Sequence, residues 1–344
     1  MRQAATILAL VLALAGCEST NPIFGPGDID PGPGGPGDPD APEEMICVTP
    51  GPCVLPGTPR ATPDGAIYRK ELKDGSGNGY AVGLTYNAAD DTFEVDGLGF
   101  DGGNTYKRGA RVGSLGRGDE FRVYEADSVY FDDVTGTPIP QFEHRAIYAR
   151  STSGATQLAI VRTGAYIPYG FGGFVYSRNG GVTLPTSGQA GYSGGYAGLR
   201  DFNDHSGLQY TTGDMTMAID FRDFNDGNAV QGRIFNRRIF DMDGNDITAA
   251  VLAEFIAENS ASLSRLPTIV FHTGPGVMNL NGEIVGNVSS GYVDDDGKNQ
   301  VFESGNYYAI LADGTGGAAS EVVGIIVVTG AGARETGGFI LYRN

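Results

Sequence analysis

The stretch EVVGIIVVTGAGARETGGFILYRN, residues 321–344, contains two matched apolar runs with a glycine-rich segment between them. Such runs of β-branched and aromatic residues, joined by a short glycine-containing loop, predict two strands of a hairpin. Gly324 and Gly338 lie inside the runs, where glycine suits a tight bend or a close backbone approach. Because a sheet that closes on itself needs such bends, the stretch predicts the closing hairpin of a barrel or a strongly curved sheet.

The composition agrees with an all-β chain. Of 344 residues, 55 are Gly, Tyr and Phe number 17 each, and Trp is absent. High glycine with scattered aromatic residues favours many short strands and turns over helices. The formal net charge of −18 argues against nucleic acid and against anionic lipid surfaces as partners.

Residues 46–180 are predicted to form a strand-rich domain, in which no segment has a convincing helical period. Turns rich in Gly, Asp, Asn and Ser separate its short apolar runs. The clearest strands are expected at residues 80–86, 92–96, 120–124, 142–148, 157–162 and 170–176.

A loop with paired glycines and a proline follows near residue 180, where we place a domain boundary. Residues 181–344 are expected to form eight strands and one short helix between them, which Asp246 or Thr248 can cap. The helix would cover one end of the sheet, and eight strands predict a closed antiparallel barrel. The strands are expected at residues 189–199, 215–221, 229–240, 268–272, 280–288, 305–311, 321–327 and 335–341.

The N-terminus has the features of an export signal. Arg2 precedes an apolar stretch, residues 4–15, that is shorter than the roughly 20 residues a transmembrane helix needs. The stretch ends in Leu14-Ala15-Gly16-Cys17, which resembles the lipobox of bacterial lipoproteins. We therefore expect residues 1–16 to be a signal peptide and Cys17 to be the acylated first residue of a membrane-anchored chain. The alternative is an ordinary secretory signal with an incidental cysteine.

Residues 17–45 are predicted to be the acylated cysteine and a disordered tether. Pro, Gly and Asp dominate this stretch, so it cannot bury enough apolar surface to fold. Cys47 and Cys53 follow it. In an oxidising compartment they would form a short disulfide loop that stabilises the fold by about 2 kcal/mol. A metal site would need more ligands than two thiols, and no histidine is nearby in sequence.

Four patterns were weighed as sites. Gly191-Tyr192-Ser193-Gly194-Gly195 satisfies G-x-S-x-G, but the flanking residues predict strands rather than the strand-to-helix turn of a serine hydrolase. The three histidines, His144, His205 and His272, are far apart in sequence. Residues 241–246 and 294–297 have the acidic, glycine-containing appearance of calcium loops but lack the glutamate of an EF-hand. No catalytic, metal or cofactor residue is predicted.

Residues from about 180 to 344 resemble the β-barrel domain of transferrin-binding protein B-like surface lipoproteins. The resemblance implies a strand-rich handle, here residues 46–180, followed by an eight-stranded barrel, on an outer-membrane lipoprotein that binds host proteins or haem. Transferrin binders have two such lobes and this chain has room for one, which argues against transferrin itself. The motifs are GQAGYSGGYAGL at 188–199, GDMTMAIDF at 213–221, GNAVQGRI at 227–234, LNGEIVG at 280–286, ESGNYYAIL at 303–311 and the closing hairpin.

The expected function is thus non-enzymatic. We expect an outer-membrane-anchored lipoprotein that binds an extracellular protein or a haem-like ligand; members of the family it resembles are often displayed at the cell surface. The alternatives are a structural envelope component with no discrete ligand and, third, an unrecognised hydrolase. The sequence does not predict the oligomeric state.

Overall fold

The computed structural model describes most of the chain downstream of the predicted tether. Cys17 and Cys47 lie outside the described residues, as do residues 1–16. The described residues are 20–24 (backbone only), 53–57, 61–165, 169–203, 205–221, 229–272, 277–330 and 332–344.

The first half of the fold is a ten-stranded antiparallel sheet, here called the open sheet. Its strand order is β1-β3-β4-β5-β7-β10-β11-β12-β2, with β6 paired to β7. A separate two-stranded hairpin, β8–β9, projects from it. The strands are β1 (Thr20–Phe24), β2 (Ile67–Lys70), β3 (Gly83–Asn87), β4 (Thr92–Asp96), β5 (Thr105–Arg108), β6 (Ser114–Leu115), β7 (Phe121–Ala126), β8 (Val129–Phe131), β9 (Pro138–Pro140), β10 (His144–Arg150), β11 (Thr156–Thr163) and β12 (Gly172–Arg178).

Strands of the open sheet differ in how many of their faces are buried. In β4 the buried residues Phe93 and Val95 alternate with partly or fully exposed polar ones, as expected of a strand with one covered face. β11 is buried along its whole length. Ala159 and Val161 face the sheet's own core, while Leu158 and Ile160 pack against the barrel.

The second half is a closed antiparallel barrel of eight strands. It confirms the predicted all-β class and the predicted barrel. The first barrel strand pairs with the last, from Tyr192 opposite Arg343 to Phe202 opposite Ala333. The strands are β13 (Gln189–Phe202), β14 (Gln209–Asp220), β15 (Ala229–Phe240), β16 (Ile269–Phe271), β17 (Glu283–Val293), β18 (Asn299–Gly314), β19 (Gly317–Gly330) and β20 (Ala333–Arg343).

One helix, α1 (Thr248–Asn259), lies between β15 and β16, as predicted. Its residues Leu252 and Phe255 are buried against Phe302 at one end of the barrel. The predicted cap is corrected: Ile247 is the N-cap residue and makes no side-chain cap. The Asp246 carboxylate instead accepts a hydrogen bond of 2.9 Å from the Thr248 N–H. Among the described residues, no helix combines the length and apolar character that crossing a membrane requires.

The predicted tether needs one correction. Thr20–Phe24 forms a strand at the edge of the open sheet, antiparallel to β3, although its residues show no strand period. An edge strand is held by backbone hydrogen bonds, which do not depend on such a period. The rest of the tether, residues 17–19 and 25–45, lies outside the described residues, and the disordered tether stays a prediction there.

Candidate functional site

A groove of about 1400 Å³ lies between the open sheet and the barrel. One wall is the chain from Arg111 to Arg117, around β6, together with Glu120. The other wall comes from β13, β14 and β15 and from Arg265 beyond the helix. The groove therefore exists only because the two sheets are packed together.

Glycines bring the two walls close and keep side chains out of the groove. Gly113 and Gly116 lie on the sheet side, and Gly194, Gly195 and Gly213 on the barrel side. Gly116 has φ +78°, the left-handed region that glycine tolerates best. A Cβ built on Gly195 would lie 2.6 Å from Glu120 Oε2, so a larger residue there would have to displace the Glu120 carboxylate.

Four exposed arginines line the groove of a chain whose net charge is −18. Arg111 and Arg117 stand on the sheet wall, and Arg238 and Arg265 on the barrel side. They come from segments far apart in the chain, so the fold alone brings them together.

Their existing ion pairs are exposed. Arg111 pairs with Asp243, Arg117 reaches Asp214 at 3.4 Å with its side chain 90% exposed, and Arg238 reaches Asp246 at 3.8 Å. Arg265 has no ion-pair partner among the described residues. Exposed pairs contribute only about 0–1 kcal/mol each, so these guanidinium groups can be redirected to an incoming carboxylate at little cost.

The acidic groups of the groove are held by neighbouring donors. Asp214 accepts a hydrogen bond of 2.8 Å from the Asn236 side-chain amide. Burial between the walls raises the pKa of Glu120, while the Gly195 N–H and Arg117 act in the opposite direction. Because arginines outnumber acidic residues in the lining, the groove carries a positive formal charge in a chain whose net charge is −18.

The barrel interior is filled by side chains. Tyr192, Tyr196, Tyr307 and Phe339 are fully buried there. At the helix-covered end the interior holds a paired charge network in place of apolar residues: Arg237 is ion-paired with Glu303 and with Glu335, and Tyr196 Oη donates to Glu335 at 2.7 Å. Desolvation opposes charge on Arg237, but the two carboxylates dominate and raise its pKa. The described part of the barrel is therefore packed inside and contributes one wall of the groove outside.

The predicted covalent sites remain predictions. Cys17 and Cys47 lie outside the described residues, so neither acylation of Cys17 nor a disulfide between Cys47 and Cys53 is tested.

Ser193 lies in the middle of β13, on a continuous strand. Its hydroxyl donates to Asn344 Oδ1 at 2.6 Å. A serine hydrolase needs its nucleophile on a sharp strand-to-helix turn, and this backbone has none. Ser193 does line the groove, where it contributes a polar contact.

The three histidines make separate contacts. His144 Nδ1 is 3.1 Å from the Phe142 carbonyl, and burial lowers the pKa of this imidazole. His205 stacks on Phe202, and His272 Nε2 is 2.6 Å from Ser289 Oγ. No group of three potential metal ligands occurs among the described residues.

The two acidic loops are capped turns. The Asn245 side-chain amide donates to the Asp241 carboxylate, and this bond, with those from the backbone N–H groups of Asn245 and Asp243, lowers the pKa of Asp241. Asp294 likewise accepts from the Lys298 backbone and the Gln300 side chain. Their oxygens are engaged by the turns themselves.

Sequence reasoning missed the groove arginines. Arg117 and Arg265 show no local pattern that distinguishes them from other surface arginines. Only their placement across two packed sheets gives them a common environment, and no single-segment motif could have indicated it.

No protein-family profile matches the chain, and no curated protein matches it. Several solved structures do. A transferrin-binding protein B double mutant from Haemophilus parasuis Hp5, titled a vaccine antigen, matches at 11% identity with a TM-score of 0.37, over 83% of this chain and 46% of that one. Intact Ap-TbpB, with its N and C lobes, matches at 11% identity with a TM-score of 0.32, over 76% and 51%. A Bacteroides fragilis NCTC 9343 protein described as an outer membrane protein matches at 13% identity with a TM-score of 0.21, over 83% and 97%.

The chain thus spans about half the length of the transferrin-binding protein B chains that it matches. The family that the sequence motifs resemble is among the matched structures.

Proposed function

We propose that this protein is a lipid-anchored protein of the outer membrane that binds an extracellular protein without catalysis, and that the ligand occupies the groove between the open sheet and the barrel. The observation that carries the proposal is the cluster of four exposed arginines in this groove. The lipobox-like residues that end at Cys17 support the anchor.

The size of the groove favours a protein ligand over a small one. Small-molecule sites usually occupy about 300–1,000 Å³ and enclose most of the ligand. This groove measures about 1400 Å³ and is open along one side. A loop or an extended segment of a protein fits such a shape better than a haem-like molecule does.

The chemistry of the groove favours an acidic segment. Guanidinium groups bind carboxylates through two parallel hydrogen bonds, which gives both energy and orientation. Arg117 and Arg265 are the most available, because one has a long exposed pair and the other has no ion-pair partner among the described residues. Glycines along the walls leave backbone groups accessible to a bound main chain.

The test compares charge variants of the mature chain in a pull-down from the extracellular medium, read by mass spectrometry. We expect the wild type to retain a defined protein and Arg117→Glu/Arg265→Glu to lose it by about tenfold or more, because carboxylates then face carboxylates. The matched control is Lys73→Glu/Lys107→Glu, which makes the same two charge reversals on exposed lysines that do not line the groove.

Equal retention of the extracellular protein by the wild type, the double variant and the control would show that the ligand does not bind in the groove. Retention of no protein by the wild type would favour the structural envelope role. A haem absorption band acquired by the purified chain would favour the small-ligand alternative.

A further inference from the structure

The β8–β9 hairpin (Val129–Phe131 and Pro138–Pro140) exposes apolar residues where a surface sheet normally exposes polar ones. Antiparallel sheets with one solvated face usually alternate apolar and polar residues. Here every residue of both strands is exposed, Phe131 by 60%, and Val134 in the turn by 92%. The groove does not include this hairpin, so it needs a separate explanation.

The two faces of the hairpin differ. Val129 lies opposite Pro140, Tyr130 opposite Ile139 and Phe131 opposite Pro138. The Tyr130 ring lies over Gly103, since a Cβ built there would be 3.1 Å from Tyr130 Cε2. Side chains alternate along a strand, so Val129, Phe131 and the two prolines share the opposite face, which points away from Gly103.

The free edge of β8 carries unused backbone groups. The Asp132 N–H donates to the Thr137 carbonyl and the Gln141 N–H to the Ser128 carbonyl, both at 2.9 Å. Hydrogen-bonded and non-hydrogen-bonded pairs alternate in an antiparallel ladder. The N–H and C=O groups of Val129 and Phe131 therefore point away from β9, and no hydrogen bond to them occurs within the described part of the chain.

The edge of β9 is closed. At the corresponding positions Pro138 and Pro140 have no N–H to donate. The Gln141 side-chain amide donates to the Pro140 carbonyl at 3.2 Å and occupies one of the remaining acceptors. Prolines protect one edge of this hairpin against strand addition while the other edge stays open.

The hairpin is held in shape before any partner arrives. The Asp132 carboxylate accepts hydrogen bonds from the N–H groups of Val134 and Thr135, and Tyr130 Oη donates to Asp133 at 3.0 Å. Donation by Thr135 lowers the pKa of Asp132, which stays ionised at neutral pH. A preformed edge lowers the conformational cost of binding.

The acidic residues at both ends of β8 determine which kind of strand can pair with its free edge. Asp127 precedes the strand, and Asp132 and Asp133 follow it. Lys107 Nζ donates a hydrogen bond of 2.7 Å to Asp127 Oδ2. If β8 of a second copy paired antiparallel about Tyr130, Asp127 of each copy would face Asp133 of the other. Like charges directly opposite are destabilising. The flanks therefore disfavour a second copy and favour a strand with basic ends.

We propose that the edge of β8 binds an extended segment of another protein by strand addition, and that this segment has alternating apolar residues with Lys or Arg at both ends. Its main chain would pair with Val129 and Phe131, and its apolar side chains on the same face would pack beside those two side chains. This site is independent of the groove, and either can fail without the other.

The test is a fluorescence anisotropy titration of the mature chain. The probe is a fluorescent peptide of alternating valine and threonine with two lysines at each end. We expect saturable binding that Phe131→Pro weakens by at least about tenfold, which corresponds to about 1.4 kcal/mol. Phe131→Val, which keeps the N–H and an apolar side chain, should bind within about threefold of the wild type.

Proline at position 131 should leave the hairpin intact, because the Phe131 N–H takes no part in it. Val129→Pro provides a second variant of the same design, and an unchanged urea midpoint shows that each is folded. A peptide with glutamates in place of the lysines should bind more weakly. The Arg117→Glu/Arg265→Glu variant should bind the lysine peptide as the wild type does.

Three results would overturn the proposal: no binding of the lysine peptide to the wild type, equal binding to Phe131→Pro, or equal binding of the glutamate peptide. Dimerisation of the wild type in sedimentation velocity that Phe131→Pro abolishes would assign the edge to a second copy and also reject the proposal.

Discussion

The Arg178 side chain forms hydrogen bonds to three separate parts of the chain: residues 62–65, Gly180 and the barrel half. It is fully buried at the end of β12, and its guanidinium donates to six backbone carbonyls: Thr62, Pro63, Gly65, Gly180, Asn281 and Leu311. Two of these acceptors, Asn281 and Leu311, belong to the barrel half. The side chain thus ties the end of the open sheet to the barrel through the backbone rather than through a carboxylate.

We predict that Arg178→Met lowers the free energy of unfolding by at least about 3 kcal/mol, because hydrogen bonds to a charged group contribute about 1.5–3 kcal/mol each and the carbonyls would stay buried. Urea denaturation at constant m-value measures the change. Arg150→Met on the exposed end of β10 is the control and should stay within about 0.5 kcal/mol. A loss under about 1 kcal/mol at Arg178 would show that water replaces the guanidinium.

The sequence says least about the environment of individual residues. Arg178, Arg162 and Arg237 are buried cations, but nothing around them in sequence distinguishes them from exposed ones. Charged residues are almost never fully buried unless paired, and their partners here lie far away in the chain. Arg162, for example, is paired with Glu71 at 2.7 Å. Only the completed fold shows which arginines are inside.

Glycines within the barrel strands lie beneath aromatic rings. Gly286 of β17 is directly opposite Tyr307 of β18, and Gly324 of β19 is opposite Phe339 of β20. In each pair a Cβ on the glycine would collide with the ring. Packing an aromatic ring over a strand glycine offsets the missing side chain. Gly286 and Gly324 therefore mark places where rings fold over the backbone inside the barrel, whereas Gly338 of the closing hairpin lies against Leu158 of the open sheet.

We predict that Gly286→Ala destabilises the protein by about 1–3 kcal/mol, the usual cost of overpacking a core. A Cβ there would lie 2.7 Å from Tyr307 Oη, and the ring is fully buried. Gly180→Ala, where a Cβ meets nothing within 4 Å, is the control and should be close to neutral.

A double-mutant cycle identifies the ring as the cause. Adding Tyr307→Leu to Gly286→Ala should give a coupling energy above about 0.5 kcal/mol, since the smaller side chain removes the collision. Strictly additive effects would mean that the alanine acts on the backbone and not on the ring.

Long strands with β-branched alternation were predictable, and short ones were not. β4 and β15 have the predicted bounds, and all eight barrel strands occur where the sequence places them, most of them longer than expected. β1, β2, β5, β6, β8 and β9 were missed. The residues of β1 show no strand period. The other five strands have four residues or fewer, too few for a period to show, and β9 contains two prolines that argue against a strand.

The open sheet and the barrel share one hydrophobic core. Phe121, Ile147 and Phe174 of the open sheet pack with Leu199 and Ile325 of the barrel in the same cluster. An ion pair crosses the boundary, from Arg69 Nε to Glu283 Oε1 at 2.6 Å, with both side chains buried. The sequence predicted a boundary near residue 180, but it could not indicate that the two halves bury their faces against each other.

We predict that Cys17→Ser releases the protein from the membrane without changing its fold. The substitution removes the attachment point for acyl chains and alters no described contact. Metabolic labelling with a fatty acid analogue should mark the wild type only, and the wild type alone should partition with detergent-soluble membrane. The urea midpoint of the folded part should be the same in both.

Wild-type protein that takes up no label in cells with an active lipoprotein pathway would contradict the predicted anchor. The ordinary secretory alternative would then apply to residues 1–16.

The pairing of β13 with β20 has a consequence for how the barrel folds. Seven strands can be in place while the barrel still has two unpaired edges, because β13 is closed only by β20, the strand farthest from it in the chain. Joining such distant segments carries a large loop-closure entropy and makes for slow folding with high contact order. Until closure, those edges are open to pairing with other chains. The barrel is therefore most exposed to wrong pairing in the interval before β20 joins β13, and a chaperone that covers strand edges would have the most effect then.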